Sequence, residues 1–496
     1  MAKNENAKST RTERRERVGI RQWVYGILAS VCCVLFSIWT GYYAVLIMIP
    51  VFIDIYITKY VNWSGWKNAK NPHVRKMLEW VDAILFALIG VYIITTFFCQ
   101  NYQIPTSSLE KSLLVGDFLC VNKMSYGTRS PMTPFSFPLV QSNFPIIGTK
   151  SYLEKPQLEY KRFPGLGKVK RHDIVVFNYP SGDTVAMKQT NRDYYIMIKE
   201  YGRSQVENNE NQFGEIAYRP VDRRDNYVKR CMGLPGEIIE MRNDSTFIDG
   251  QLVHDAENMQ LVYAVQTEGT ALTATLLDEL GISMEDRRDI GSDELPTDSL
   301  TIARLGLENV NNNGGFLYTN VPLTKEKIEK LSKKPYVKKI IKYNEFLKRK
   351  GEVGGVKYYQ PSIYPIDYER YCMPGDYPAT WIPAKGATLK FDTDIDYKVA
   401  AYRRCIKNYE GNEFEYKDGK VYINGQQADS YTFKYDYYFM MGDNRDKSLD
   451  SRMWGFVPED HIIGQPMVVW LSLDKDKGWF DGKIRWNRLF TKGNKQ

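Results

Sequence analysis

The sequence predicts N-terminal transmembrane helices followed by a mainly antiparallel β domain that carries a small α+β insertion. Three observations predict it. Apolar, nearly charge-free runs at 23–57 and 80–98 are flanked by basic residues. From Gln100 onward the pattern changes to short β-branched and aromatic runs bounded by turn formers. Between two similar hairpin signals, near 247–251 and 421–426, lies a long stretch with helical periodicity.

The bulk properties narrow the function classes. A chain of 496 residues exceeds one ordinary domain, so a membrane part with one or two soluble domains fits its length. The net charge of +8 is mild, and the basic residues form no stripe outside the flanks of the apolar runs. Nucleic-acid binding is therefore not expected. The seven cysteines show no C-x-x-C spacing, which argues against a zinc site and a dense disulfide framework. The four histidines, His73, His172, His254 and His461, have no ligand spacing. No metal or cofactor is expected, and a Ser-His-Asp scheme is disfavoured.

Residues 1–22 carry Arg11, Arg14, Arg15, Arg17 and Arg21 without an apolar pattern and read as a disordered cytoplasmic tail. The run 23–57 is too long for one span. A break near Trp39-Thr40-Gly41 gives a hairpin of two spans of about 17 residues each, the lower limit for a bilayer. A basic loop follows at 58–79, with Lys59, Lys67, Lys70, Arg75 and Lys76, and then a third span at 80–99. Both basic flanks belong on the cytoplasmic side, so the third span exports the rest of the chain. The apolar region is too long for a cleavable signal peptide, and no small-residue cleavage site follows it.

The β domain is assigned to 100–257 and 396–480, with strands at 117–121 and 173–179 and a C-terminal tail at 481–496. Asp249-Gly250 and Asn424-Gly425 each follow a strand-like run, the strongest short-range hairpin signal. In the insertion, 258–395, strands are expected at 259–266 and 316–321 and helices at 271–280 and 324–332, with Gly281 ending the first helix.

Two isolated residues carry the chemistry. Ser108 lies in Ile104-Pro105-Thr106-Ser107-Ser108-Leu109, just beyond the last apolar run. Lys229 lies in Tyr227-Val228-Lys229-Arg230, ahead of Gly233-Leu234-Pro235-Gly236. A serine hydroxyl needs a base, and a lysine serves only where a low-dielectric setting disfavours its ammonium form. The apolar neighbours of Lys229 suit that demand. Alternation puts Tyr227, Lys229 and Cys231 on one face of the strand and Val228 and Arg230 on the other. Residue chemistry alone does not choose between Ser107 and Ser108.

These blocks, together with Gly442-Asp443-Asn444-Arg445-Asp446 through Ser448, Asp450, Ser451, Arg452 and Trp454-Gly455, resemble the bacterial type I signal peptidases, membrane-bound Ser/Lys endopeptidases. The run Arg171-His172-Asp173-Ile174-Val175-Val176-Phe177 resembles a further family strand, and all blocks occur in the family's order over 100–240 and 410–470. The resemblance implies that Ser108 is the nucleophile and Lys229 the base, with an acyl-enzyme intermediate. It implies an oxyanion site from the Ser108 N–H and the Thr106 hydroxyl, and Ser448 as the residue orienting the lysine. Arg230 with Asp443, and Asp450 with Arg452, are implied as structural ion pairs.

The implied substrates are signal peptides of exported preproteins, cut after small residues at an Ala-x-Ala-like site. The peptide would add as a strand beside 102–105 and 226–228, with Ile104, Pro105, Leu109, Leu113, Tyr227 and Val228 lining a shallow apolar pocket. The implied location is the bacterial cytoplasmic membrane, multi-pass, with the β domain on the periplasmic side and the bilayer as a partner. Leu109 replaces the family's methionine, and His172 replaces its glycine. The extra hairpin and the insertion resemble Bacteroidota-type members.

Two rival readings exist. Ser108-Leu109-Glu110-Lys111 fits the S-x-x-K of penicillin-binding acyl transferases, but the Lys-Thr/Ser-Gly strand of that class is missing. An inactive homologue acting in membrane assembly is opposed by the intact Ser108, Lys229 and Ser448.

Overall fold

The computed structural model describes residues 18–63, 65–145, 147–190, 192–310, 314–360, 362–368 and 372–494. Most of the expected basic tail therefore lies outside the described residues. Helix α1 (Ile20–Thr40) ends at Gly41, whose φ of 70° is the left-handed turn that a glycine C-cap supplies. The break expected near residues 39–41 is there. The two halves of the expected hairpin are unequal, however. α1 has 21 residues, whereas the return runs through a 3₁₀ turn (Tyr43–Ile47), a short α-helix (Met48–Ile53) and a π turn (Asp54–Thr58). Pro50 gives one reason, because proline has no N–H to donate to the helix ladder.

The return segment nevertheless lies antiparallel along α1. Tyr56 packs on Tyr25 with ring centroids 6.2 Å apart, and Lys59 Nζ donates to Gln22 Oε1 at 3.3 Å. Gly26 leaves room for Ile57, whose Cδ1 would lie 3.0 Å from a Cβ at position 26. The last apolar helix, α2 (Pro72–Phe97), begins eight residues before the expected span and has 26 residues. Among the described residues, α1 and α2 are the two helices long and apolar enough to cross a membrane. Their C-terminal ends meet at Phe36–Phe97 and Trp39–Phe98, and both Trp39 and Phe97 reach Phe163 of the β domain.

The β domain is built on one twisted sheet of antiparallel strands: β1 (Cys99–Gln103), β2 (Asp117–Asn122), β3 (Ile174–Asn178), β4 (Asn226–Gly233), β5 (Tyr437–Met441), β6 (Val457–Pro458), β7 (Ile462–Ser472) and β8 (Thr491–Lys492). The spatial order is β1-β2-β7-β3-β4-β5-β6, with β8 also on β7. Both faces are covered, which explains the unbroken apolar run Ile174-Val175-Val176-Phe177. Val175 and Phe177 join Cys231, Trp454 and Val457 on one face. Ile174 and Val176 join Ile104, Leu109, Leu113 and Val121 on the other.

The two predicted hairpins form as the turn residues require. Asp249 and Gly250 have φ of 51° and 77°, and Asn424 and Gly425 have φ of 52° and 78°, the double positive φ of a type I′ turn.

Between the hairpins, a four-stranded antiparallel sheet takes the order Gly291–Asp293, Gly315–Leu323, Leu261–Glu268, Val337–Lys342. It is covered by helices that include Ala274–Glu279, Lys325–Ser332 and Tyr343–Gly354, and it has its own apolar clusters around Val265 and Phe346. This α+β module ends with the helix at Gly354. Ile363, Tyr377, Ile382 and Leu389, assigned from sequence to the insertion, pack instead with Met232, Ile239, Phe439 and Phe456. Periodicity marks elements but not the core they join, so it overran this boundary.

Candidate active site

Lys229 stands in the middle of β4, paired with Val175 of β3. Ser108 stands on a single 3₁₀ turn, Ser107–Leu109, that follows the edge strand β1. The fold buries both side chains, leaving Ser108 7% and Lys229 3% exposed. The Lys229 Nζ donates to Ser108 Oγ. Burial lowers the lysine pKa to about 8, with the charge of Asp450 opposing the shift and that of Arg452 adding to it. Ser107 is only partly buried, and its carbonyl accepts the Asn444 side-chain amide at 3.2 Å.

The last loop wraps this pair. Arg230 Nε and Nη2 each donate to Asp443 at 2.7 Å, and both side chains are almost fully buried. Arg452 Nη2 donates to Asp450 Oδ2 at 2.8 Å in an equally closed setting. Burial pushes the Asp450 carboxyl up, but Arg452 outweighs it and holds the carboxyl below its ordinary value. Gly442 fits where little else can. A Cβ there would stand 2.2 Å from Ser448 Oγ and 2.5 Å from the Ser108 carbonyl oxygen.

Two expectations need correction. Ser448 is buried beside this glycine, but its Oγ has no hydrogen-bond partner among the described residues, so the expected bond to Lys229 is not formed. The expected apolar pocket is not one surface. Ile104, Leu109 and Leu113 are interior side chains, and Val228 packs against them. Tyr227 turns to the opposite face and stacks on Tyr179 at 4.5 Å, as strand alternation demands. Thr106 and Pro105 are exposed just before the serine turn.

The geometry disposes of the S-x-x-K alternative. Lys111 donates to the Gly281 carbonyl at 2.6 Å and lies near Glu110, and Ser107–Leu109 is a lone 3₁₀ turn rather than a helix start. His172 also finds an explanation. It adopts φ of 70°, a conformation that favours glycine, and its carbonyl accepts Arg230 Nη1 at 2.7 Å.

Two strand edges near the pair have no ladder partner among the described residues. β1 is the outermost strand of the sheet, so its outer edge faces no ladder partner. On β4, pairing to β5 starts only at Arg230, leaving the edge of residues 226–229 outside that ladder. Where these edges meet α2 lies a polar cavity of about 320 Å³, lined by Gln100, Tyr102, Gln103 and Asn226 on the strands and by Tyr92 and Thr95 on the helix. Sequence reasoning missed this cavity, because its walls come from segments far apart in the chain.

Known proteins resemble the chain along most of its length. The family model described as "Signal peptidase, peptidase S26" matches residues 77–295 and 429–471, ranges that contain Ser108, Lys229 and the whole 442–455 loop. The chain belongs to the signal peptidase family, peptidase S26. Among its relatives, Signal peptidase I of Buchnera aphidicola subsp. Baizongia pistaciae is 25% identical over 409 residues, covering 81% of this chain and 79% of the relative. Signal peptidase I of Haemophilus influenzae is 23% identical over 430 residues, covering 86% and 79%. Signal peptidase I of Buchnera aphidicola subsp. Acyrthosiphon pisum is 22% identical over 432 residues, covering 86% of each. Members of the signal peptidase family are serine endopeptidases anchored in membranes, and the two apolar helices α1 and α2 accord with that anchoring.

Proposed function

We propose that this member of the signal peptidase family is a signal peptidase I whose nucleophile is Ser108 and whose base is Lys229. The observation that carries this is the buried Lys229 amine donating to Ser108 Oγ, with a pKa lowered by burial to about 8. A base of that pKa is partly unprotonated near neutral pH, as proton abstraction requires. Lys229 takes the hydroxyl proton as Ser108 Oγ attacks the scissile carbonyl. The proton then goes to the leaving amine, and an ester links the signal peptide to Ser108. Lys229 next deprotonates a water that hydrolyses the ester and releases Ser108. The Ser108 N–H and the Thr106 hydroxyl stabilise the oxyanion in both steps.

The substrate is the signal peptide of an exported preprotein, cut after small residues. Its extended chain fits between the edge of β1 and residues 226–229, where main-chain bonds supply affinity. The polar cavity beside α2 would receive the part of the peptide lying further from the cut.

The return segment 43–58 completes a third membrane passage, supported by its antiparallel packing from the level of Thr40 back to that of Gln22. The N-terminal ends of α1 and α2 then share one side with the basic residues Arg21, Lys59, Lys67, Lys70, Arg75 and Lys76, the cytoplasmic side of a bacterial inner membrane. The β domain faces the periplasm, close to the bilayer. The extra hairpin and the α+β module support a Bacteroidota-type affiliation.

Cleavage of a preprotein with an Ala-x-Ala site by the full-length protein tests the assignment. Ser108→Ala and Lys229→Ala are each expected to lose at least about 10²-fold in rate, the low end of what a positioned base contributes. Ser107→Ala is expected to remain active. The reverse pattern for the two serines would overturn the choice of nucleophile.

A further inference from the structure

The α+β module is docked against loop 443–447 and against Lys111, three residues beyond Ser108. Gln260, one residue before its first strand, forms a parallel bridge with Asn444. The Gln260 N–H donates to the Asp443 carbonyl at 2.8 Å, and its own carbonyl accepts the Arg445 N–H at 3.0 Å. Between these bonds, Asn444 donates its N–H to the Ser108 carbonyl at 3.1 Å and its side-chain amide to the Ser107 carbonyl at 3.2 Å. Further along, Asp446 Oδ2 accepts the Val262 N–H at 2.8 Å. Lys447 Nζ donates to Asp286 at 2.9 Å and to Asp289 at 2.8 Å. From the serine side, Lys111 reaches the Gly281 carbonyl.

The contact is a closed interface. Gln260 and Asp286 are buried, and so is Lys327 of the helix Lys325–Ser332, whose Nζ donates to Gln260 Oε1 at 3.1 Å. Burial, reinforced by the charge of Lys111, lowers the Lys327 pKa to about 7. The inner side of the loop is tied by the Arg230–Asp443 ion pair and by the Asn444 bonds to Ser107 and Ser108. Buried polar atoms without a hydrogen-bond partner among the described residues lie on both sides, Asn444 Oδ1 and Ser448 Oγ on the loop and Gln260 Nε2 on the module. The setting of the loop therefore depends on its module-facing bonds together with its inner ones.

We propose that the α+β module is a positioning element for cleavage: through Gln260 and the Lys447–Asp286–Asp289 cluster it holds loop 443–448 where Asn444 fixes the backbone of Ser108. The proposal rests on Ser108 being the nucleophile. Lys447 touches no reacting group, so its effect passes entirely through the loop. Small misplacements of a reacting group are costly, which makes such an effect measurable.

The test uses the full-length protein in detergent micelles with a preprotein substrate, and records kcat, KM and thermal unfolding. Lys447→Ala is expected to lower kcat about tenfold, with KM within about twofold and the unfolding temperature nearly unchanged. Lys447→Arg, which keeps both ion pairs, is expected to restore most of kcat. An unchanged kcat in a folded Lys447→Ala protein overturns the proposal, as does a loss that Lys447→Arg fails to rescue. Should Lys447→Ala not fold, the exposed Asp289→Ala variant reads the same cluster. A loss of about threefold in kcat at constant KM supports the proposal, and full activity overturns it. Ser108→Ala runs alongside. If that variant still cleaves, the nucleophile assignment fails; if only the Lys447 and Asp289 variants behave as wild type, the positioning role alone fails.

Discussion

The backbone N–H of Asn444 donates to the carbonyl oxygen of Ser108 at 3.1 Å, so the last loop of the domain grips the residue proposed as the nucleophile. The same loop carries Asp443, Asp450 and Arg452, whose charges act on Lys229. The proposed nucleophile and base and the charges around them are thus joined through one loop, and measurable consequences follow from that arrangement.

Cleavage should rise with pH as Lys229 loses its proton. Its pKa in the folded protein is about 8, against an ordinary lysine value of 10.5, so kcat/KM is expected to increase through an acid limb centred near 8. The stability sign is fixed by the same shift. Between about 8 and 10.5 the unfolded chain binds the proton that the folded protein has released, so wild type gains stability relative to Lys229→Met as pH rises through that window. Thermal unfolding of both proteins across it checks this, and a gain with falling pH would contradict the buried-amine account.

Thr106 is exposed and placed two residues before Ser108, the proposed nucleophile. Thr106→Val keeps the shape and removes the donor. It is expected to lower kcat by on the order of 10², the loss of one oxyanion donor, with KM little changed. Thr106→Ser should retain activity. Steady-state kinetics on one preprotein decide it.

Gly442→Ala places a methyl against Ser448 Oγ and the Ser108 carbonyl oxygen. The methyl cannot be accommodated without moving the serine turn. Loss of nearly all cleavage is expected, while overall secondary structure by circular dichroism stays close to wild type.

Ser448→Ala separates a catalytic from a structural role. The hydroxyl is buried without a partner among the described residues, so its removal should leave stability unchanged or raise it by about 1 kcal/mol. A role in orienting Lys229 once substrate is bound predicts a fall in kcat for the same variant. Equal kcat in Ser448→Ala and wild type would remove this residue from the machinery.

Legibility in the sequence followed the range of the interaction responsible. Asp249-Gly250 and Asn424-Gly425 announce their turns because positive φ is a property of the residues themselves. The strand runs and two of the module's helices, Ala274–Glu279 and Lys325–Ser332, are readable for a similar reason, since period 2 and period 3.6 are local patterns. The end of the module was not. Tyr377 and Leu389 look like any other apolar residues until the core they join is known. The resemblance implies a place for Tyr227 in a substrate pocket, and its stacking on Tyr179 is a tertiary contact that the chain neighbourhood conceals.

By itself the sequence determined the apolar segments and their basic flanks, the hairpins, and the serine and lysine blocks whose order resembles a peptidase family. Tertiary structure alone decided that an amine and a hydroxyl 121 residues apart share a hydrogen bond, that the amine is shut away from water, and that the module closes on the loop around Asn444. The physical reason is that backbone sterics and side-chain periodicity act within a few residues. Desolvation and hydrogen bonding across 184 positions, as between Val262 and Asp446, exist only once the chain has packed.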